Sequence, residues 1–260
     1  MHNILTKIIE STRETVEKRK RSVPLAQLKS KIATASPRRN FRQAISEGPK
    51  AHIIAEIKRA SPSAGLIAPE FDPVKIAKDY TTAGASALSV LTEERHFQGK
   101  LDYLTKVRES TTLPLLRKDF FIDTYQVYEA KAYGADAILL IVAVLETARL
   151  QGLSALATAL GMDCIAEVHS EEDLNRILPL PFEIIGINNR NLSTFTVTME
   201  TAEKLASKIP KGRTIIAESG IKTAQDITAF KKLGINAFLI GETLMRSPNL
   251  TSTMKRFINA

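Results

Sequence analysis

Eight short apolar runs, separated by helical patterns and turns, constrain the fold of this 260-residue chain more than any other feature. The runs are rich in Ile, Leu, Val and Ala, and most of the segments between them show the three- and four-residue apolar spacing of amphipathic helices. The predicted strands cover residues 52–58, 87–92, 114–119, 137–144, 163–167, 184–188, 214–218 and 237–240. The predicted helices cover 73–83, 125–133, 147–160, 170–178, 201–208 and 223–233, and several of them end at a glycine that is typical of a helix C-cap.

Near-continuous apolar strands that alternate with helices are typical of a parallel sheet covered by helices. Eight repeats of about 26 residues favour a closed (β/α)8 TIM barrel, whose usual length is about 250 residues. An open doubly wound sheet stays an alternative, because periodicity does not show whether strand eight pairs with strand one. We therefore predict an α/β fold made of one closed barrel.

The first fifty residues precede the first run and show a helical pattern of their own. Apolar residues recur there at helical spacing from Ile4 to Val16, with charged residues between them. We predict one structural domain in which a helical extension, residues 1–50, packs on a barrel formed by residues 51–260. We expect the extension to contribute to binding or closure without supplying catalytic groups.

The charge distribution argues against a nucleic-acid partner. The net charge is +8, but residues 1–50 hold 12 Lys and Arg against 4 Asp and Glu, so the remaining 210 residues are neutral. The chain has no Trp and only 5 Tyr, which leaves few aromatic platforms for stacking on bases. We expect no nucleic-acid binding.

The chain also lacks the signals of a membrane or secreted protein. Its longest apolar run, residues 137–145, is about half the length of a membrane span. Charged residues interrupt the apolar N-terminus before a signal-peptide core develops. A single cysteine, Cys164, cannot form an internal disulfide bond. We predict a cytoplasmic protein that does not contact membranes, and a monomer rather than an oligomer.

Polar side chains end or directly follow five of the eight runs. The active sites of barrels lie at the C-terminal ends of the strands, so these side chains are expected to converge. Together they supply acids, bases and an anion clamp. They are Glu56, Lys58, Lys118, Glu167, Asn188, Arg190 and Glu218.

Glycines follow the seventh and eighth runs, where barrels commonly bind phosphate. Ser219 and Gly220 follow the seventh run, and Gly241 and Glu242 follow the eighth. Their backbone N–H groups can hold an anion. Ser61, in a turn-forming loop after the first run, is a third candidate, although the same loop is also readable as plain surface.

Six motifs, in order, carry a family resemblance. The sequence resembles the indole-3-glycerol phosphate synthases of tryptophan biosynthesis over essentially the whole chain. The motifs are Glu-Ile-Lys-Arg-Ala-Ser-Pro-Ser at 56–63, Leu-Arg-Lys-Asp-Phe at 116–120, Ala-Glu-Val-His at 166–169, Ile-Gly-Ile-Asn-Asn-Arg-Asn-Leu at 185–192, Ala-Glu-Ser-Gly-Ile at 217–221 and Gly-Glu-Thr-Leu-Met at 241–245. One departure is Ala64, where many relatives carry Lys. Because no second barrel pattern follows, we expect the monofunctional form.

The resemblance implies a reaction and a set of catalytic residues. The substrate is expected to be 1-(2-carboxyphenylamino)-1-deoxyribulose 5-phosphate, which closes to an indole with loss of CO2 and water. By resemblance, Lys118 is the principal general acid, Lys58 the second lysine and Glu167 the base. Glu56 is expected to set the charge and position of the lysines. We further expect partial desolvation to lower the pKa of Lys118.

The remaining roles are also implied by the resemblance. Asn188 and Ser219 complete the catalytic set, with Asn188 also orienting sugar hydroxyls. The residues expected to bind the substrate are Arg190, Glu218, Phe120 and Phe97. The residues expected to bind its phosphate are Ser61, Gly220, Gly241 and the backbone of Glu242.

No cofactor or metal ion is expected. No His, Cys or carboxylate cluster has metal-ligand spacing, and no dinucleotide-binding glycine motif follows a strand. His52, His96 and His169 are interpreted as structural or surface residues. Three alternatives stay open: a Schiff-base aldolase, a catalytically silent binding protein, and an RNA-binding protein that uses residues 1–50.

Overall fold

The apolar runs form a closed barrel of eight parallel strands in this computed structural model, which describes residues 4–191 and 196–260. The last strand pairs with the first, with His52 opposite Ala237 and Ala55 opposite Ile240. This pairing closes the sheet and confirms the (β/α)8 barrel over the open alternative. The strands are β1 (His52–Ile57), β2 (Ala87–Leu91), β3 (Leu115–Lys118), β4 (Ala137–Ile141), β5 (Asp163–Val168), β6 (Ile184–Asn188), β7 (Thr214–Glu218) and β8 (Ala237–Ile240).

Helices precede the barrel and connect its strands. They are α1 (Ile4–Ser22), α2 (Leu25–Ala33), α3 (Phe41–Ala44), α4 (Pro73–Thr82), α5 (Asp102–Ser110), α6 (Thr124–Ala132), α7 (Thr147–Ala159), α8 (Glu171–Ile177), α9 (Glu200–Ala206), α10 (Ala224–Lys232), α11 (Glu242–Met245) and α12 (Leu250–Ile258). The sequence pattern did not predict α5 and α12. Only two residues of α5, Leu104 and Val107, are buried, so its apolar stripe is too narrow to stand out.

The fourth run shows where apolar patterning misplaces an end. A strand is predicted over 137–144, but β4 ends at Ile141, and Val142–Val144 form a 3-10 turn. This turn is as apolar as the strand before it, although only Val142 of the turn is buried, so periodicity alone does not separate the two.

Alternation along the strands produces two apolar layers. Side chains such as Ile54, Leu116 and Ile165 fill the barrel interior, whereas their neighbours pack outward under the helices. Phe41 and Ile45, in and just after α3, are buried in the same cluster as the interior side chains. They cover one end of the barrel and leave the opposite end for a site.

The helices α1 and α2 pack on the outside of the barrel, against α6. Val16 of α1 and Leu28 of α2 share a buried cluster with Tyr125 of α6. The Tyr125 hydroxyl donates to the backbone carbonyls of Arg19 and Val23. The division at residue 50 stays a prediction. No helix in residues 4–191 or 196–260 is long and apolar enough to cross a membrane.

Candidate active site

A cavity of about 760 Å³ opens at the C-terminal ends of the strands. All the side chains that sequence patterning and resemblance singled out line this one cavity. They are Glu56, Lys58, Ser61, Phe97, Lys118, Phe120, Glu167, Asn188, Arg190, Glu218, Ser219, Gly220, Gly241 and Glu242. The barrel topology brings them together because parallel strands end at the same rim.

Lys118 ends β3 and lies between two carboxylates. Its Nζ is 3.0 Å from Glu167 Oε2, on β5, and 2.9 Å from Glu218 Oε2, on β7. Burial acts to lower the pKa of Lys118, but Glu167, Glu218 and Glu56 outweigh burial and raise the pKa above its ordinary value. The expectation of a lowered pKa is therefore wrong: it counted desolvation and missed the carboxylates that the fold places around the ammonium.

The two carboxyl groups beside Lys118 differ in their pKa values. Burial and the charge of Glu167 raise the pKa of Glu218 to about 8, against the opposing attraction of Lys118. Burial acts the same way on Glu167, but Lys118 and His169 outweigh it and hold the pKa of Glu167 below its ordinary range. Near neutral pH the pair therefore carries mainly one negative charge, located on Glu167.

Glu56 and Lys58 of the first strand and its end form a second ion pair in the cavity. Glu56 Oε2 accepts from Lys58 Nζ, and alternation places both side chains on one face of the chain. A Cβ on Gly241 would collide with this same Oε2. The glycine after β8, expected at the phosphate, thus also makes room for the Glu56 carboxylate.

Backbone conformation is unusual directly after β7. Ser219 has φ +66° and Gly220 has φ +84°, and the first value is uncommon for a residue with a side chain. Asn189 fixes this segment, because its Nδ2 donates to the Ser219 carbonyl at 3.1 Å and its backbone N–H donates to the Glu218 carbonyl at 2.9 Å. Sequence reasoning missed Asn189, although the Asn188-Asn189 doublet at the end of β6 was a visible signal.

The loops after β7 and β8 are joined beside the cavity. Thr243 Oγ1 donates to the Ile221 carbonyl at 2.7 Å. The Glu242 carboxylate lies 3.1 Å from Arg246 Nε and is partly exposed. After β1, the Ser61 hydroxyl accepts the Ala64 N–H at 3.2 Å within a short hairpin.

An apolar wall faces the charged groups. The rings of Phe97 and Phe120 lie with centroids 6.1 Å apart, and both line the cavity. The first turns of α1 add Ile4, Leu5 and Ile8 to the lining. The sequence pattern identified these three only as a helical face, because nothing local to α1 shows where the helix docks.

Within residues 4–191 and 196–260, no group of three or more His, Cys, Asp or Glu side chains is placed to hold a metal ion. The single cysteine, Cys164, is a free thiol on β5, and burial raises its pKa well above the ordinary value of a thiol. The chemical groups that the described cavity offers are thus ammonium, carboxyl, amide, hydroxyl and guanidinium.

Comparison with known proteins agrees with this set of groups. The family model described as indole-3-glycerol phosphate synthase matches residues 5–257. The chain is 48% identical to the indole-3-glycerol phosphate synthase of Acidithiobacillus ferrooxidans over 95% of each chain. It is 46% identical to that of Dehalococcoides mccartyi over 98% of this chain and all of the relative.

The chain belongs to the indole-3-glycerol phosphate synthase family. Its activity is the ring closure that forms indole-3-glycerol phosphate in tryptophan biosynthesis, a decarboxylating lyase reaction on a phosphorylated small molecule. The aldolase and silent-binder alternatives are set aside.

The barrel of this synthase is also shared with distant structures. The 3-keto-L-gulonate-6-phosphate decarboxylase of Vibrio cholerae superposes with a TM-score of 0.61 at 17% identity, over 80% of this chain and 96% of that one. At that identity the likeness extends to the fold alone.

Proposed function

We propose that Lys118 is the principal general acid of the ring closure and that Glu167 is the base that completes it. The observation that carries the proposal is the position of Lys118 Nζ, 3.0 Å from Glu167 and 2.9 Å from Glu218 at the cavity. An ammonium has three donors. Two point to the carboxylates, and the third is available to the C2′ carbonyl oxygen of the substrate.

The raised pKa of Lys118 fits this role when the carboxylates are considered with it. Glu167, Glu218 and Glu56 raise the pKa of Lys118 and keep it protonated, and Lys118 in turn lowers the pKa of Glu167 and keeps it ionised. When Lys118 gives its proton to the carbonyl oxygen, Glu167 loses the strongest attraction that lowers its pKa and becomes more basic. The first proton transfer thereby prepares the base for the dehydration that follows.

Lys58 and Glu56 act on the two groups that leave the substrate, its carboxylate and a hydroxyl. Lys58 neutralises the departing carboxylate and assists loss of the hydroxyl, while the Glu56 carboxylate accepts a hydrogen bond from Lys58 and holds it in place. This pair lies two strands from Lys118 around the barrel, so each lysine serves a different part of the substrate.

The two ends of the substrate are held by different surfaces. Phe97 and Phe120 contact the benzene ring, and Arg190, Asn188 and Ser219 orient the carboxylate and sugar hydroxyls. Glu218, protonated near neutral pH, donates a hydrogen bond rather than repelling the carboxylate. The phosphate lies against Ser61 and the backbone N–H groups at Gly220, Gly241 and Glu242.

We further propose that the protein acts as a monomer in the cytoplasm.

Turnover of Lys118→Met and Glu167→Gln tests the assignment. A positioned acid or base contributes about 10²- to 10⁴-fold, so each variant should lose kcat by that factor while KM stays within about tenfold. Because the chain has no Trp, the indole fluorescence of the product rises against a dark background. Lys58→Met should instead let a partly processed intermediate accumulate.

Lys255→Met is the matched control, since Lys255 is exposed on α12 and outside the cavity lining. It should keep parental kcat and KM. If Lys118→Met retains more than about a tenth of parental kcat, the loss is smaller than the usual contribution of a general acid. Lys58 would then replace Lys118 as the principal acid.

A further inference from the structure

His169 follows β5 and lies directly behind Glu167. The two residues are two positions apart and share a face, whereas Val168 between them packs into the outer apolar layer. His169 Nε2 lies 3.2 Å from Glu167 Oε1, and Lys118 Nζ lies 3.0 Å from Glu167 Oε2. The carboxylate is thus flanked by a nitrogen on each of its oxygens.

We propose that His169 is a positioning residue for the base of the reaction: its Nε2–H holds Glu167 Oε1, so that Oε2 stays aimed at Lys118 and the cavity. The inference rests on the proposed role of Glu167 as the base. His169 touches Glu167 and does not line the cavity, so it acts through that carboxylate.

The first argument for this role is that the His169 ring is buried while its two nitrogens lack hydrogen-bond partners. The His169 side chain is only 10% exposed, yet neither ring nitrogen has an aligned hydrogen-bond partner among the described residues. Buried polar groups in folded proteins are usually satisfied, and an exception calls for an explanation. A small turn of the ring would direct Nε2–H at Glu167 Oε1.

The second argument is that the backbone of His169 is fixed while its ring is not. Its backbone N–H donates to Asp173 Oδ2 at 3.0 Å, which anchors the chain at the start of α8. The same oxygen lies 4.0 Å from the ring Nδ1, too far for a hydrogen bond. Asp173 thus sets where the ring sits and leaves it free to follow Glu167 as that group gains and loses a proton.

The third argument is electrostatic. Glu167 is buried, and burial alone disfavours its charged form. When Lys118 has given up its proton, His169 is the neighbour that still favours the carboxylate over the acid. Without it, the Glu167 carboxylate would rotate away from the cavity before acting on the intermediate.

Three substitutions of His169 separate positioning from packing. His169→Gln keeps an N–H donor at a reach close to that of Nε2, His169→Asn shortens the reach, and His169→Phe keeps ring volume and removes the donor. A hydrogen bond to a charged group is worth roughly a ten- to hundredfold change in rate. We expect kcat to fall by about that factor in the Phe and Asn variants, with KM within about threefold, and His169→Gln to recover most of the parental kcat.

A double-mutant cycle with Glu167→Gln completes the test. If His169 acts through Glu167, adding His169→Phe to Glu167→Gln should change kcat less than about twofold. Equal losses in the Gln, Asn and Phe variants, parental kcat in all three, or a full additional loss on the Glu167→Gln background would overturn the inference.

The proposed function fails by a different result. Parental kcat in the Glu167→Gln single variant would remove Glu167 from the role of base, whatever the His169 variants do. Should His169→Phe not fold, the Gln and Asn variants, both polar, still give the comparison, with thermal melting as the check on folding.

Discussion

Arg117 and Lys118 are neighbours on β3 with opposite surroundings. Arg117 points outward and is fully buried, and its guanidinium reaches Thr92 Oγ1 at 3.0 Å, the Gln126 carbonyl at 3.2 Å, Asp119 at 2.8 Å and Glu129 at 2.9 Å. Lys118 points inward to a cavity and meets two carboxyl groups, one of which keeps an unpartnered oxygen, Glu218 Oε1.

The difference distinguishes a structural charge from a chemical one. Each of the three guanidinium nitrogens of Arg117 has a protein partner, and the side chain is fully buried away from the cavity. The inward cluster, which consists of Lys118, Glu167 and Glu218, has a spare donor on Lys118 and an unpartnered carboxyl oxygen on Glu218 beside open space. A buried charged group with incomplete partners at a cavity is the arrangement that substrate can complete.

Exchanging each residue for Met should therefore affect different properties. Arg117→Met leaves the buried carboxylates of Asp119 and Glu129 without their main partner, and breaking such a buried pair costs about 3–5 kcal/mol of unfolding free energy. Lys118→Met should destabilise the fold less, because its carboxylates adjoin the cavity and take up a proton or water. Urea denaturation of both variants measures the two costs.

The comparison breaks if the stability ranking reverses. A Lys118→Met variant that unfolds more easily than Arg117→Met would show that the inward cluster is the structural one. Should Arg117→Met not accumulate in folded form, that outcome agrees with the prediction, and Thr92→Val then probes a milder loss in the same network.

The second largest effect concerns Gly241, which borders the inward cluster. An added Cβ would displace the Glu56 carboxylate and with it Lys58. Misplacement of a catalytic group by about 1 Å can cost about a hundredfold in rate, so Gly241→Ala should lose kcat by roughly that factor.

Gly220→Val should mainly raise KM. Gly220 has φ +84°, and a Cβ at this position would contact Val197, so a valine side chain should reshape the phosphate loop.

Gly152→Ala is the matched control, because nothing lies within 4 Å of a Cβ at this position in α7. It should leave kcat and KM unchanged. Inorganic phosphate should inhibit the parent competitively and Gly220→Val more weakly. An unaltered KM in folded Gly220→Val would remove that loop from the phosphate site.

These two glycines show what the sequence did and did not predict about the site. Strand-end placement predicted that Gly241 borders the cavity, because a barrel brings all strand ends to one rim. It did not predict that Gly241 accommodates Glu56, since β1 and β8 become neighbours only when the barrel closes. The predicted direction of the Lys118 pKa shift was wrong for the same reason, because the carboxylates beside Lys118 lie on β5 and β7, far away in sequence.

The sequence predicted those features of the fold that depend on residues close together along the chain. The bounds of β6, β7 and β8 match the apolar runs to the residue, since polar turns delimit them on both sides. The helix α12 was missed although Leu250, Met254, Phe257 and Ile258 recur at helical spacing, because a nine-residue helix after the last strand is shorter than the pattern that usually identifies one.

A third prediction uses pH to examine the inward cluster. The pKa of Glu218 is about 8 when folded and near 4.5 as a free side chain, so the folded state binds more protons between these values. Stability from this group is complete below pH 4.5 and is lost as pH rises through 8. Glu218→Gln removes the loss, so it should gain stability relative to the parent as pH rises.

Even one unit of pKa shift corresponds to about 1.4 kcal/mol, which denaturation at pH 5, 7 and 9 resolves. Glu167 has the opposite sign, because its lowered pKa stabilises the fold above 4.5 and that contribution is lost toward acid. Glu167→Gln should therefore lose stability relative to the parent as pH rises from strongly acid values through 4.5. A difference between Glu218→Gln and the parent that does not vary with pH would contradict the raised pKa.

The smallest predicted effect lies where the outward cluster, which consists of Arg117, Asp119 and Glu129, meets the N-terminal helix α1. Arg19 of α1 contacts Glu129 at 3.0 Å and Glu94 at 2.7 Å, and Glu129 also binds Arg117. The opposite end of the same helix places Ile4 and Ile8 in the cavity lining. The structural network outside the barrel thus anchors a helix that contributes to the apolar wall of the site.

Arg19→Met should loosen this anchor and raise KM about two- to fivefold with little change in kcat, because Arg117 still pairs with the buried Glu129 and the lost pair with the exposed Glu94 is worth about 1 kcal/mol or less. Arg21→Met is the control: Arg21 is exposed on the same helix, and its loss changes the net charge equally. If α1 acts by docking, only Arg19→Met raises KM, and the inhibition constant of inorganic phosphate, which has no aromatic ring, stays the same. If α1 acts by attracting the anionic substrate through its positive charge, both variants raise KM, both weaken phosphate binding, and the effect disappears at high salt. The second pattern would separate the outward cluster from the site altogether and restrict its role to stability.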